Sequence, residues 1–269
     1  MHLFMLVKLN LSLLFTWMLS LVVSANSHHS TKSLLEWDSL VRNEYTLHYT
    51  KVDKDIIITI DDELQVGFKH IVDFFHQSFI NKFDVYIFPG RTLMDKQWQK
   101  DWGDSAFQSE CWMIASGVGH RLDILSPNLW TKEACDHKAN DSIEIRQVIR
   151  HELVHVFHGR HNADHTFKYI EKLDWLAEGV ATFVSGQLDA KRSQRIKHLI
   201  NENKVPSTLD NFWKGQEKYG LSGSMVAYID NKYGRNELFE LLKQTNKELV
   251  LKSLDVSETQ LLADWKNSF

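Results

Sequence analysis

His151 and His155 constrain this chain more than any other pair of residues, because they stand four positions apart inside a segment patterned as an α-helix. Four residues of helix turn through about 400°, so both imidazoles lie one turn apart on a single face and can grip one metal ion. Glu152 is offset by one position, which puts its carboxylate beside such an ion, in reach of a bound water. Leu153 and Val154 point to a core. Upstream, Asp141 and Glu144 can cap the helix start reciprocally, and Ile145, Val148 and Ile149 continue its apolar side. Two histidines do not complete a catalytic site, which needs a third protein ligand and one position left for water. Two residues offer themselves. Glu178 lies in Trp175-Leu176-Ala177-Glu178-Gly179-Val180-Ala181, on a helix expected over Asp174–Gly186, and His161 lies shortly after His155.

The motif His151-Glu152-Leu153-Val154-His155, followed after some tens of residues by W-L-x-E-G-x-A, resembles the gluzincin zinc peptidases. The resemblance is greatest to the aminopeptidase N and leukotriene hydrolase branch and its smaller peptidase relatives. It implies a thermolysin-like fold, a single Zn2+ held by His151, His155 and Glu178, and Glu152 as general base. Small Gly179 and Ala181 are then expected to let the Glu178 helix approach the zinc helix closely. A third stretch, with Tyr219, Tyr228, Gly234, Glu237 and Phe239, is similar in register to the same branch. There the leading tyrosine binds the oxyanion of the reaction, a role that falls on Tyr219. The match covers roughly residues 111–242. The Gly-x-Met-x-Asn element by which exopeptidases of that branch hold a substrate amino terminus has no counterpart near Gly117-Val118-Gly119-His120, which favours endopeptidase action or an unusual substrate.

A rival resemblance, to the metzincins, would make His161 the third ligand, with Ser224-Met225 imitating a Met-turn. The glycine of that family falls one position late here, at Gly159, with His158 in its place, and Met225 sits within a helical pattern. A positive φ, which the turn needs, is sterically costly for His158.

Around these motifs the chain divides in two. Up to residue 140 it mixes elements: a short helix over Ser33–Arg42, a strand over Tyr45–Tyr49, a long helix over Ile56–Phe79, and strands over Asp84–Pro89, Cys111–Ala115 and Arg121–Leu125. The last is also a plausible edge strand for an extended peptide. From residue 141 the pattern is helical, with further segments over Ala190–Ile200, Gly223–Lys232, Asn236–Gln244 and Glu258–Trp265. The expectation is an α+β catalytic domain, with a sheet-bearing part (26–140) and a helical part carrying the zinc site (141–269).

Residues 1–25 have the layout of a signal peptide: Lys8, an apolar run from Leu9 to Val23, and small Ser24 and Ala25. The alternative is an uncleaved N-terminal anchor. Either way the remainder faces the secretory or periplasmic side, and no other stretch is apolar enough to cross a membrane. In that setting Cys111 and Cys135, the two cysteines of the chain, are expected to pair, and Asn140-Asp141-Ser142 is a glycosylation acceptor. A net charge of −4, spread without long runs, offers no basic patch for nucleic acid. The expected activity is zinc-dependent hydrolysis of peptide bonds in a peptide or protein substrate. The same zinc apparatus would also serve a hydrolase of non-peptide bonds.

Overall fold

The computed structural model describes residues 35–135, 137–138, 142–170 and 172–269. The signal segment and the Asn140 acceptor therefore lie outside the described residues. The chain enters through strands β1 (Trp37–Val41) and β2 (Tyr45–Thr50), paired antiparallel. The helix expected over Ser33–Arg42 is thus a strand where it is described. Trp37, Leu40 and Val41 fall at helical spacing, but strand pairing wins here. The segment gains pairing with β2 and sets Trp37 edge-on against Tyr86 and Phe88.

Helix α1 (Ile57–Phe75) buries Ile57, Ile60, Leu64, Ile71 and Phe75 along one face and stops at His76, which takes a left-handed φ of 54°. Strand β3 (Phe83–Phe88) then runs parallel to β2, and α2 (Arg91–Trp102) ends at Gly103. Strands β4 (Ala115–Val118) and β5 (Arg121–Leu125) form an antiparallel hairpin that completes a five-stranded mixed sheet of order β1-β2-β3-β5-β4. Two expectations are corrected here. The strand expected at Cys111–Ala115 begins only at Ala115, because Arg91 claims the preceding carbonyls: its guanidinium donates to those of Glu110, Cys111 and Met113 at 3.0, 3.1 and 2.8 Å. Nor is β5 an edge, since it lies between β3 and β4; the edge strands are β1 and β4, and β4 is the one beside α4.

The loop before β4 is closed by a disulfide between Cys111 and Cys135, whose Cα atoms are 5.4 Å apart. Such bonds persist in oxidising compartments. Cys135 follows the short α3 (Trp130–Glu133). The described elements beyond are helices: α4 (Ser142–His161), α5 (Asp174–Val184), α6 (Ala190–Asn201), α7 (Lys218–Tyr233), α8 (Arg235–Leu241), α9 (Lys247–Ser253) and α10 (Glu258–Asn267). Near the start of α4, the Glu144 carboxylate accepts from His137 Nδ1 at 2.7 Å and from the Lys138 N–H at 3.0 Å. The fold is α+β, and Leu35–Phe269 forms one compact unit.

The alternation of each strand divides the sheet's faces. Tyr45, Leu47, Phe83, Val85, Ile87, Leu122 and Ile124 are buried, and they belong to one core shared with α1 and with Leu153 and Phe157 of α4. The opposite face carries His48 stacked on Tyr86, and buried Asp123, which accepts from Trp98 Nε1 of α2 at 2.9 Å. No helix among the described residues is long and apolar enough to cross a membrane.

Candidate metal centre

Helix α4 runs beneath the β4 edge of the sheet, and its apolar side, through Leu153, Val154 and Phe157, is fully buried. The approach of β4 depends on glycine. A Cβ on Gly117 would stand 2.3 Å from the Glu152 carbonyl oxygen and 3.0 Å from His155 Cβ. One turn on, Gly159 meets Gly119 of the β4–β5 turn, and a Cβ on Gly159 would fall 2.6 Å from the Gly119 nitrogen. Gly159 is therefore small because a strand turn rests on it. The helix continues through His158 and Gly159 to His161 without the sharp turn that the metzincin arrangement requires.

On the cleft side of α4, His151 and His155 project together, and Glu178 reaches them from α5. One ligand atom from each lies within 4.8 Å of the others. His151 Nε2 is 3.2 Å from both Glu178 Oε2 and His155 Nε2, and His155 Nε2 is 3.6 Å from Glu178 Oε2. The opposite nitrogen of His151, Nδ1, is 2.8 Å from Gln187 Oε1. An amide oxygen only accepts, so Nδ1 carries the proton and Nε2 presents its lone pair. That lone pair faces a carboxylate oxygen and a second ring nitrogen, a convergence of electron-pair donors that a cation relieves. Two imidazoles and one carboxylate fit zinc's usual donor set, and the group can hold a metal ion.

Glu152 is half-buried beside this group. Burial pushes its carboxyl up to about 7; Glu178 adds to the rise, and a hydrogen bond from the Gly117 backbone N–H opposes it. Tyr219, near the start of α7, places its ring 6.1 Å from that of His151 and 4.8 Å from that of Trp213. Burial, then the charges of Glu178 and Glu152, raise its phenol above the ordinary tyrosine value, so it stays protonated and able to donate.

His161 points elsewhere. Its ring packs 4.5 Å from Phe157 and 4.9 Å from Phe239, and Nε2 lies 3.2 Å from the Ser78 carbonyl. Met225 is buried within α7. Gly179 serves a different contact from the expected one: a Cβ there would meet the Ser222 carbonyl at 2.6 Å, so its smallness lets α5 and α7 pack together. Neighbours on a helix are turned about 100° apart, so Glu178 facing α4 sends Gly179 toward another partner. Thr182, which could have oriented a ligand imidazole from one turn past Glu178, instead keeps a buried, unpartnered Oγ1 and lies against Gly223.

The residue that does hold His151 is Gln187. It follows Gly186, whose φ of 82° turns the chain back toward the site after α5. Motif reasoning offers no signal for a lone glutamine whose role depends on that turn. It also misses Phe167, in the loop between α4 and α5. Phe167 adopts a left-handed φ of 59° and sets its ring edge-on to His155 at 6.0 Å and His158 at 4.9 Å.

These groups line an open cleft of about 1060 Å³ between β4 and the helical part. The protein-family models match no part of the chain, and no curated protein matches it.

Proposed function

We propose that this chain is an exported zinc metallopeptidase of the gluzincin type, with a thermolysin-like arrangement around its cleft. The observation that carries the reading is the convergence of His151, His155 and Glu178, from two helices, with Glu152 beside them on the floor of an open cleft. Export draws support from the apolar N-terminal run in the sequence and from the Cys111–Cys135 bridge.

A zinc ion held by His151, His155 and Glu178 would supply Lewis acidity, polarising a carbonyl and letting water ionise near neutral pH. The protein's own groups do the rest. Glu152 takes the proton of the attacking water on its carboxylate and passes it to the departing amine. Tyr219 donates a hydrogen bond from its hydroxyl to the oxyanion developing on the scissile carbonyl and keeps its proton. Gln187 keeps His151 in the tautomer that leaves Nε2 free to bind. The free edge of β4 offers unpaired backbone groups on which an extended peptide lies as an added strand.

Incubating the zinc-loaded protein with a complex peptide library, with cleavage sites read by mass spectrometry, tests this directly. Internal cleavage at a restricted set of sequences is expected. Intact peptides throughout would count against the peptidase reading and turn attention to non-peptide bonds.

A further inference from the structure

The charges of the cleft are sorted by wall. Its carboxylates, Glu144, Glu152, Asp174 and Glu178, stand on α4 and α5. Among the described residues, its only lysine or arginine side chains are Arg192 of α6 and Lys218 of α7, on the facing wall. Among the described residues neither forms an ion pair with a carboxylate. Arg192 uses one guanidinium nitrogen on the Gln187 carbonyl at 2.6 Å. The Lys218 ammonium sits instead among three rings, 4.4 Å from the centre of Trp213, 4.7 Å from Trp112 and 5.3 Å from Tyr219. Aromatic faces hold a cation in place, but they leave its N–H donors without a full acceptor.

Position gives this arrangement its meaning. A single ring, that of Tyr219, separates Lys218 Nζ from the His151 imidazole. Arg192 also acts on the Tyr219 phenol through its charge. Two cations without acid partners thus lie beside Tyr219, on the α6–α7 side of the cleft, whose lining carries no carboxylate among the described residues.

On the peptidase reading, we infer that Lys218, helped by Arg192, forms a subsite for a substrate carboxylate next to the scissile bond. That carboxylate is either the free C-terminus of a short peptide or an acidic side chain. The caged ammonium is fixed in place before substrate arrives, so little side-chain freedom is lost on binding.

Two matched peptide pairs test the inference, one differing only in a free or amidated C-terminus and the other only in Glu or Gln beside the cleaved bond. In the zinc-loaded wild type, kcat/KM is expected to favour the acid member of at least one pair by about tenfold or more, the usual worth of a hydrogen bond to a charged group. The pair that responds identifies the source of the carboxylate. The preference should collapse in Lys218→Met, weaken in Arg192→Gln and survive in Lys218→Arg, which keeps the charge. Equal rates for both members of both pairs, or a preference that persists in the Lys218→Met and Arg192→Gln double variant, would overturn it.

The same four peptides are titrated against zinc-loaded Glu152→Gln protein while tryptophan fluorescence is followed, Trp112 and Trp213 being the reporters. This arm reads recognition without turnover. If the wild type cleaves nothing, the peptidase reading fails alone; tighter binding of the acid members, lost on adding Lys218→Met, still supports the subsite, and equal binding of all four still refutes it.

Discussion

Gly117 of β4 lies so close to Glu152 of α4 that a single added methyl group would sit 2.3 Å from the Glu152 carbonyl oxygen. This edge of the sheet and the residue assigned as base are therefore held in one backbone-to-backbone contact. Gly117→Ala must push strand and helix apart. It is expected to lower stability by about 1–3 kcal/mol, the usual cost of overpacking, and to reduce turnover more than zinc content. Thermal unfolding and metal analysis on the same sample check both parts.

Gln187 is expected to matter to the metal without touching it. In Gln187→Ala, His151 loses the acceptor that fixes its tautomer. Partners of this kind typically contribute about 10–100-fold to metal affinity. A chelator competition should show that loss, while Thr182→Val, at a hydroxyl with no hydrogen bond, should leave affinity unchanged.

Acid sensitivity should trace in part to His158. Its ring is buried, and the nearby Leu242 carbonyl, which also accepts from Asn162 Nδ2 at 2.7 Å, offsets only part of the cost of a charge there. Burial pushes its pKa down to about 3, against 6.5 for a free histidine. Between those values the unfolded chain binds a proton that the folded chain does not. This residue's contribution to stability is therefore complete above about pH 6.5 and is lost as the pH falls toward 3, at up to about 1.4 kcal/mol per pH unit. His158→Leu should flatten denaturant-derived stability across pH 4 to 6.5 relative to wild type. Equal slopes for the two proteins would contradict it.

Glu152→Gln should separate binding from chemistry. The amide keeps the shape but accepts no proton, so zinc content should remain near that of wild type while turnover falls by orders of magnitude. Metal analysis beside a peptide-cleavage assay reads the two quantities.

Much of the centre was legible because its residues sit on long helices, where spacing fixes direction. Four positions in α4 bring His151 and His155 to one face, and the tryptophan-to-alanine motif around Glu178 marks the helix that meets them. What escaped depends on tertiary turns. Gln187 reaches His151 only because Gly186 reverses the chain. Strand β4 is hard to read in Ala115-Ser116-Gly117-Val118, since small residues carry little strand preference, yet it must be small to lie on α4. Strand β1 was misread because Trp37, Leu40 and Val41 fall at helical spacing although the segment is mostly exposed and pairs with β2.

The third ligand decides the centre, and zinc affinity measured by competition with a chelator addresses it in three proteins: wild type, Glu178→Ala and His161→Ala. Wild type is expected to bind one zinc tightly. Glu178→Ala should lose that affinity steeply, since one of three converging donors is gone, whereas His161→Ala, altering a ring packed on Phe157 and Phe239, should bind as wild type does. Tight zinc binding by Glu178→Ala, with loss in His161→Ala, would contradict the assignment of the metal centre and of the family it resembles.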